Sequence, residues 1–490
     1  MLLTELMAGF TEATGRALPG EATGVAYDTR RVEPGHVFVA LKGARVDAHD
    51  RLDEAIAKGA SAVVVDAGWH QRTGRDLGLP TFPVEDGRLV LAQLADRFYR
   101  HPSGALAVVG VTGTNGKTTT THLIEAILQE AGQTTGLIGT LGSRFSGGVI
   151  ETGHTTPQAL ELQAIFAQMK RAGVDSVVME VSSHALDQAR VACTAFKVGV
   201  FTNLTVDHLD YHLTMEAYGE AKAKLFENLP PEGRAVINRD DPAAERFIQA
   251  STAPVLTYSA QGQPADLHAE GLDMHPGGSS FTLVTPAGSV SVSLRLPGLF
   301  NVSNALAAAG AALALGVDLP SIARGLGRMR GVPGRVEVVT TPDNPFTVLV
   351  DYAHTPDGLE NVLKTARAFT RGDLSVVFGC GGDRDATKRP QMGRIASELA
   401  DRVYLTSDNP RSEDPQEIMR QVASGIAGPY ESLVDRAEAI RRAIEAAKPQ
   451  DVVVIAGKGH ETYQIIGDRT LPFDDREVAR EAIQARTVTP

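Results

Sequence analysis

Cysteine, tryptophan and an excess of positive charge are what this chain of 490 residues has least of. Its two cysteines, Cys193 and Cys380, are too few and too far apart for a disulfide framework or a cysteine-based zinc site. The formal net charge of -12 argues against a nucleic-acid binder, which needs a basic surface for phosphates. Anionic substrates therefore have to be bound by local Lys, Arg or Mg²⁺.

The sequence also lacks any apolar run that approaches the length of a membrane span. The first residues, MLLTELMAGFTEATG, have no basic flank before their apolar positions, so they do not resemble a targeting signal. We therefore expect a cytoplasmic protein without membrane or nucleic-acid partners, and a monomer. With 43% hydrophobic and 22% charged residues, the chain is too long for one core and favours an α/β protein of about three domains.

Turn-forming residues divide the chain into three α/β units, at 1–103, 104–331 and 332–490. The first ends at the breaker His-Pro-Ser-Gly and the second at Gly-Val-Pro-Gly. The third unit alternates apolar strands with helical patterns, which predicts a mostly parallel sheet with strands at 347–350, 374–378, 403–405 and 452–455. Polar motifs follow these strands, where open parallel sheets bind their ligands.

The stretch 108–121, VVGVTGTNGKTTTT, has the pattern of a buried strand, a glycine turn and the start of a helix. This is the layout of a phosphate-binding loop, in which backbone N–H groups and a helix N-terminus converge on phosphate oxygens. Lys117 would add a full positive charge, and Thr118 a hydroxyl ligand for Mg²⁺. Val111 stands where the usual spacing has a glycine, and an ordinary glycine turn is the alternative interpretation.

Other polar residues suggest a nucleotide and metal site around this loop. Glu180 ends the apolar strand 176–180, where a metal ligand belongs, although a surface turn acid is the alternative. The segment 203–212, NLTVDHLDYH, places His208 among several possible ligands directly after another strand. Lys222 lies in a helical segment, where an exposed lysine is the simpler interpretation.

Several motifs together resemble the Mur ligase family over nearly the whole chain: GVTGTNGKTTT, MEVSSHAL, TNLTVDHLDYH, DYAHTPDGLENVL, GCGGDRDATKRPQMG, SDNPRSEDP and AGKGHETYQ. The resemblance implies an N-terminal domain for a UDP-linked substrate, a central P-loop ATPase-type domain and a C-terminal Rossmann-like domain for an amino acid. It implies an ATP-dependent amide ligase of peptidoglycan precursor synthesis, and hence a role in cell-wall formation, cell shape and division. ATP would phosphorylate the γ-carboxylate of UDP-N-acetylmuramoyl-L-alanyl-D-glutamate, and the acyl phosphate would be attacked by an amine.

The resemblance also implies which residues form the sites. The catalytic residues would be Lys117, Glu180, His208 and Lys222. The ligands of two Mg²⁺ ions would be Thr118, Glu180, His208 and a carbamylated Lys222. The ATP site comprises Gly113, Thr114, Asn115, Gly116, Lys117, Thr118, Thr119, Asn301, Asn304, Arg335 and Asp351. The UDP-linked substrate corresponds to Tyr27, Thr29, Ala44, Arg45, Val46, Thr155, Thr156, Ser182, Gln188 and Arg190. The amino-acid site comprises Arg384, Asp408, Asn409, Pro410, Arg411, Gly457 and Glu461.

The incoming amino acid stays open at this point. The Asp-Asn-Pro-Arg motif ending at Arg411 favours meso-2,6-diaminopimelate, because a guanidinium pairs in a two-pronged way with its distal carboxylate. L-Lysine and L-ornithine, which lack that carboxylate, are the alternatives for the amino acid. For Arg411 itself, the alternative is a helix-start salt bridge with Glu413 or Asp414. A folylpolyglutamate-synthase-like ligase and a P-loop switch that hydrolyses ATP only to change shape are more remote alternatives.

Overall fold

The computed structural model describes residues 1–18, 20–43, 46–146, 148–150, 153–275, 277–341 and 343–488. It confirms the three-domain α/β class, because sheets of four, eleven and six strands follow one another along the chain. A two-stranded hairpin is added near the C-terminus. The domain bounds at 103/104 and 331/332 stay a prediction.

The first sheet is parallel, and its strand order β1-β2-β3-β4 follows the sequence. Its strands are β1 (Gly24–Ala26), β2 (His36–Val39), β3 (Ala62–Asp66) and β4 (Thr81–Val84). The helices around it are α1 (Leu3–Leu6), α2 (Leu52–Ala57), α3 (Ala67–Thr73) and α4 (Gly87–Phe98). Asp66 and Asp86 cap α3 and α4 by accepting backbone N–H groups of the first turn, which fixes where each helix begins.

The second sheet has β5 near its centre, paired in parallel with β9 on one side and β10 on the other. Its strands are β5 (Ala107–Thr112), β6 (Thr135–Gly139), β7 (Gly142–Phe145), β8 (Gly148–Ile150), β9 (Ser176–Glu180), β10 (Phe196–Phe201), β11 (Arg234–Asn238), β12 (Val255–Ser259), β13 (Leu267–His275), β14 (Gly278–Thr285) and β15 (Gly288–Leu294). The order is β15-β14-β13-β12-β11-β10-β5-β9-β6-β7-β8, with antiparallel hairpins at both edges. The carboxyl ends of β5, β9 and β10 therefore lie side by side.

Helices cover both faces of this sheet, as parallel strands require. They are α5 (Lys117–Glu130), α6 (Ala159–Arg171), α7 (Ser183–Asp187), α8 (Leu209–His212), α9 (Met215–Glu227), α10 (Ala244–Ala250), α11 (Leu299–Ala314) and α12 (Leu319–Arg328). Buried residues of α5 and of the Ala-rich α11 pack on one face against Val109 and Val111 of β5. The strand that leads into the phosphate loop is thus fixed in the largest core of the protein.

The third sheet is parallel except for its edge strand β16, with the order β16-β17-β21-β18-β19-β20. Its strands are β16 (Glu337–Val338), β17 (Thr347–Asp351), β18 (Leu374–Phe378), β19 (Arg402–Thr406), β20 (Glu431–Leu433) and β21 (Val452–Ala456), followed by the hairpin β22 (Tyr463–Ile466) and β23 (Arg469–Pro472). The helices are α13 (Pro356–Phe369), α14 (Lys388–Leu399), α15 (Pro415–Ala423), α16 (Arg436–Ala446) and α17 (Asp475–Val488). The four predicted strands are confirmed, with bounds that differ by at most one residue at each end.

A buried ion pair ties this sheet to its last helix. Arg436 on α16 and Asp475 at the start of α17 both have fully buried side chains, and their two N–O distances are 2.7 Å each. The same guanidinium donates to the carbonyl oxygens of Ser407 and Ala456, at the ends of β19 and β21. The carboxyl edge of the sheet is therefore held from behind by one side chain.

Within the described ranges, no helix is both long enough and apolar enough to cross a bilayer.

Candidate active site

A cavity of about 460 Å³ opens where the carboxyl ends of β5 and β9 face the C-terminal domain. It brings together most of the residues predicted for ATP, Mg²⁺ and catalysis, and two predicted for the UDP-linked substrate. These lining residues are Thr114, Asn115, Gly116, Lys117, Thr118, Thr119, Thr155, Glu180, Ser182, His208, Asn304, Arg335 and Asp351. Residues far apart in the sequence thus line one space between two domains.

Two glycines shape the phosphate loop. Gly113 and Gly116 have φ angles of 147° and 86°, in the left-handed region that side chains disfavour. A Cβ on Gly116 would lie 2.5 Å from Asn304 Oδ1, so α11 packs directly on the loop. Asn203, just after β10, accepts the backbone N–H of Thr114 at 2.9 Å and that of Asn115 at 2.8 Å. The loop is therefore held from two sides.

Two lysines donate to one carbonyl oxygen of this loop. Lys117 Nζ lies 2.8 Å from the oxygens of both Gly113 and Thr114, and Lys222 Nζ on α9 lies 2.9 Å from that of Gly113. Burial lowers the pKa of both ammonium groups, and the charge of Lys117 lowers the pKa of Lys222 further. Lys222 is 1% exposed, so its interpretation as an exposed helix lysine is wrong.

Glu180 lies at the tip of β9 with 1% exposure, so its interpretation as a surface turn acid is also wrong. Both of its carboxylate oxygens lie 3.1 Å from the Thr118 hydroxyl. Thr140 donates its backbone N–H at 2.9 Å and its hydroxyl at 3.1 Å to the same carboxylate. Nothing in the sequence around Thr140 indicated this role.

The donor set at the loop fits Mg²⁺. Mg²⁺ is usually held by one or two carboxylates together with hydroxyl, phosphate and water oxygens, and Glu180 and Thr118 supply the protein part of such a set. Within the described residues, no three His, Cys, Asp or Glu side chains converge as a metal site made by protein alone. Burial lowers the pKa of His208 well below its ordinary value, which leaves the imidazole in the neutral form that can act as a ligand.

Arg335 of the C-terminal domain reaches across the cleft to the phosphate loop. Its Nη2 donates to the Thr118 hydroxyl oxygen at 3.1 Å, while its guanidinium lies 4.4 Å above the ring of Tyr352. Asp351, at the end of β17, accepts the backbone N–H groups of Val336 and Ala353 at 2.7 Å each. Asp351 thus fixes the loop that carries Arg335.

The two asparagines of α11 differ in position. Asn304 lines the cavity, and its Oδ1 accepts the Thr120 hydroxyl at 3.2 Å. Asn301 is 3% exposed and lies behind it, accepting from Asn304 Nδ2 at 3.3 Å and donating to the Pro297 carbonyl at 2.8 Å. Asn301 therefore orients Asn304 in this arrangement.

Two further residues of the C-terminal domain act on this cleft without having been predicted, Asp357 as part of its lining and Lys388 as a nearby charge. Asp357, at the start of α13, accepts Asn115 Nδ2 at 2.6 Å. Lys388, at the start of α14, is buried. Its charge acts on Asp207: the burial of Asp207 raises the pKa of that carboxyl, but the charges of His208, His354 and Lys388 together lower it. Lys388 lies inside the motif GCGGDRDATKRPQMG, which was a usable signal. The contact of Asp357 with Asn115 depends on how the two domains dock, so no sequence signal predicted Asp357.

The residues predicted for the UDP-linked substrate form a hydrogen-bonded row beside Glu180. Thr156 donates its hydroxyl to the Glu180 carbonyl at 2.9 Å and accepts the Ser182 backbone N–H at 3.1 Å. Arg190 donates to the carbonyl of Thr156 at 2.9 Å and to Gln188 Oε1 at 2.8 Å. The Thr155 hydroxyl lies 3.1 Å from that of Thr140, which connects the row to the metal side of the cavity.

The described N-terminal residues predicted for the UDP-linked substrate lie in different surroundings. The Tyr27 hydroxyl lies 3.1 Å from both oxygens of Glu161 on α6, so it bridges the first two domains. Thr29 is buried and Val46 is exposed. Ala44 and Arg45, also predicted for this substrate, lie outside the described residues.

The residues predicted for the amino acid cluster at the carboxyl ends of β19 and β21. Asp408, Asn409, Pro410 and Gly457 are buried there, whereas Arg384 is exposed. Arg411 has a φ of 51° and donates to the Gly382 carbonyl at 2.8 Å. In the described part of the chain, Arg411 pairs with neither Glu413 nor Asp414; Glu413 binds Arg389 instead, at 2.8 Å.

The nucleotide side and the amino-acid side meet at Tyr352. Burial raises the pKa of its hydroxyl and the nearby charge of Glu461 raises it further, while Arg335 opposes both. The Tyr352 ring lies 5.1 Å from that of His460, the residue before Glu461. A continuous series of contacts therefore runs from Thr118 through Arg335 and Tyr352 to the segment that carries Glu461.

Comparison with known proteins gives matches along most of the chain. Three family models match: the Mur ligase family, catalytic domain at 21–99, the Mur ligase middle domain at 111–312, and the Mur ligase, glutamate ligase domain at 334–459. A UDP-N-acetylmuramoyl-L-alanyl-D-glutamate--2,6-diaminopimelate ligase from Gloeobacter violaceus is 51% identical over 489 residues, covering 99% of each chain. A solved ligase structure of the same name is 37% identical, covers 100% of both chains and has a TM-score of 0.70. The MurF ligase from Thermotoga maritima in complex with ADP, 21% identical with a TM-score of 0.65, covers 95% of this chain and 99% of its own and shares the fold.

Proposed function

This chain belongs to the Mur ligase family, and on that premise we propose that it joins meso-2,6-diaminopimelate to UDP-N-acetylmuramoyl-L-alanyl-D-glutamate at the expense of ATP. The bond formed is an amide between the D-glutamyl γ-carboxylate and an amino group of the incoming amino acid. The observation that supports this most is the continuous series of contacts from Thr118 through Arg335 to Tyr352, beside Glu461. A ligase needs its nucleotide and its amine in one cleft, and these contacts join the two sides.

The reaction needs activation because a carboxylate is a poor electrophile. Transfer of the γ-phosphoryl group of ATP to the γ-carboxylate gives an acyl phosphate and ADP, and attack by the amine then releases phosphate. Both phosphoryl donor and acceptor are anions, so their approach depends on positive charge held in place. Lys117 and Arg335 supply that charge at the loop, and the first backbone N–H groups of α5, at 117–119, add hydrogen-bond donors for the phosphates.

Glu180 and Thr118 would hold one Mg²⁺ ion together with the ATP phosphates, and His208 with a carbamylated Lys222 would hold a second. When bound, Mg²⁺ neutralises part of the charge on the phosphate oxygens. A carbamate on Lys222 fits its surroundings because an unmodified ammonium 2.9 Å from the Gly113 carbonyl, close to Lys117, would repel a metal ion. Asn304 and Asp351 form the wall on which the nucleoside rests.

The carbamate has a direct test by ¹³C NMR in ¹³C-bicarbonate. One protected carbamate signal is expected in the parent enzyme and in Lys224→Ala, since Lys224 lies on the same helix but is exposed. The signal should disappear in Lys222→Ala. A signal that survives Lys222→Ala, or no signal in the parent enzyme, contradicts the assignment.

Ser182, Thr155, Thr156, Gln188 and Arg190 bind the UDP-linked substrate along the row that leads away from Glu180. Arg384 and Arg411 bind the distal carboxylate of the amino acid, and Glu461 its ammonium. A Cβ on Gly381 would lie 2.9 Å from Arg411 Nη1 and 4.0 Å from Arg384 Cγ, so both arginines flank the same glycine. Two arginine side chains beside one glycine favour an amino acid with a second carboxylate over L-lysine and L-ornithine.

The reaction is tested by measuring phosphate release with ATP, Mg²⁺, the UDP-muramoyl dipeptide and, separately, meso-diaminopimelate, L-lysine and L-ornithine. Release that requires both the dipeptide and meso-diaminopimelate is the expected result. Release with L-lysine or L-ornithine, but not with meso-diaminopimelate, would contradict the assigned amino acid and leave the ligase reaction supported. ATP hydrolysis that needs no amine would contradict the ligase and favour a nucleotide-driven switch.

A further inference from the structure

Lys458 is a fully buried lysine that no part of the mechanism above uses. It follows Gly457 after β21, its side chain is 0% exposed, and its Nζ lies 2.9 Å from Glu461 Oε2. The same Nζ lies 3.2 Å from Asn409 Oδ1 and 5.6 Å from the ring centre of Tyr463. A buried ammonium is retained only where it is paired, and here both partners are residues of the amino-acid site.

Asn409 completes a triangle with these two charges. Its Nδ2 donates to Glu461 Oε2 at 2.9 Å, and its Oδ1 accepts from Lys458 Nζ and from the Ile465 backbone N–H. Both polar atoms of this side chain are therefore engaged within the protein. Both contacts with Glu461 use its Oε2, and within the described residues no hydrogen bond reaches its Oε1. One oxygen of Glu461 is therefore fixed by Asn409 and Lys458, while the other keeps its capacity to accept a hydrogen bond.

The charges around this triangle are unequal. Burial raises the pKa of the Tyr463 hydroxyl; the charges of Glu461 and Asp408 raise it further, while those of Arg411 and Arg384 lower it. Lys458 offsets the charge of Glu461, and Asp408 offsets one of the two guanidiniums, which leaves one positive charge in excess among these groups. Asp408 lies on the other side of the motif, where a Cβ on Gly457 would meet it and Arg436.

We propose that Lys458 is a positioning residue that sets amino-acid specificity, because its ion pair with Glu461 makes the site reject a side chain that ends in a lone ammonium. The proposal rests on the proposed function. At neutral pH, L-lysine carries one net positive charge, whereas meso-diaminopimelate carries two carboxylates and two ammonium groups and is neutral. A site with excess positive charge therefore favours meso-diaminopimelate. An unpaired Glu461 would instead attract the L-lysine ammonium.

The test compares kcat/KM for meso-diaminopimelate and L-lysine in the full-length enzyme and in Lys458→Met. The ratio of the two values should fall about tenfold or more in the variant, with KM for ATP unchanged. Lys458→Arg keeps the charge and should keep the parent ratio. Lys364→Met is the matched control, since it breaks an ion pair of an exposed lysine on α13 and should leave the ratio unchanged.

A purely structural role would lower kcat/KM equally for both amino acids. An unchanged ratio in Lys458→Met therefore overturns the inference, as does a ratio that rises. If Lys458→Met does not fold, Lys458→Gln carries the same comparison with one hydrogen-bond donor retained. The double variant Lys458→Met/Glu461→Gln should lose the gain in L-lysine use, because the unpaired carboxylate is gone. A parent enzyme that is inactive with both amino acids would refute the proposed function. That outcome is distinct from an active parent enzyme whose ratio Lys458→Met leaves unchanged, which would refute only this inference.

Discussion

Asp475→Asn removes the charge of the carboxylate that faces Arg436 while keeping its shape. Both side chains are 0% exposed, and the pair has two N–O distances of 2.7 Å, so the variant leaves a guanidinium buried without a counter-charge. Breaking one side of such a pair destabilises by about 3–5 kcal/mol. For a domain of this size, the loss corresponds to a fall in Tm of about 6–20 °C. Because Arg436 also donates to the Ser407 and Ala456 carbonyls, the amino-acid site should loosen with it.

The assay is thermal unfolding combined with amide hydrogen exchange of β19, which ends just before Ser407, and of β21, which ends at Ala456. Glu398→Gln is the matched control, because it removes the same kind of charge from an exposed pair with Arg394 and should change stability by no more than about 1 kcal/mol. Faster exchange should be confined to the C-terminal sheet, and KM for the amino acid should rise while KM for ATP stays unchanged. If Asp475→Asn behaves like Glu398→Gln, the reasoning about this pair is wrong.

Three other perturbations have defined outcomes. Lys117→Ala should lower kcat roughly 10²–10³-fold, because the variant lacks the ammonium proposed to bind phosphate; turnover like that of the parent would contradict the role. Arg411→Ala should raise KM for the amino acid far more than KM for ATP, with the exposed Arg394→Ala as control; equal effects would mean a structural role. Burial raises the pKa of Glu12, but hydrogen bonds from Thr14, Thr81 and Arg16 together lower it from 4.5 to about 2. The stability it contributes is thus present above pH 4.5 and lost as the pH falls toward 2, and a melting curve of Glu12→Gln should lack that part of the acid dependence.

The sequence predicted best what depends on local pattern. Strand 374–378 has the same bounds in the structure, because a short apolar run between turn residues needs no distant partner to be recognised. The phosphate loop was likewise predictable, since its function lies in glycine backbone geometry and in a helix N-terminus that follow directly in the sequence. The departure at Val111 did not change this, because that residue is buried in the strand before the turn.

What could not be predicted depends on how domains and distant strands meet. No spacing in the sequence shows that Arg335 reaches Thr118, or that Asn115 meets Asp357, because each pair crosses the cleft between two domains. Lys222 was the hardest single residue to interpret. Its helical segment is compatible with exposure, and only the position of α9 behind the phosphate loop buries its ammonium.

The contact of Arg335 with both Thr118 and Tyr352 has a thermodynamic consequence for the affinities of nucleotide and amino acid. A side chain shared by two ligand sites gives them a coupling free energy, and such coupling is reciprocal. If nucleotide tightens the amino acid by some factor, the amino acid must tighten nucleotide by the same factor. Each ligand, once bound, then raises the affinity for the other by an equal factor.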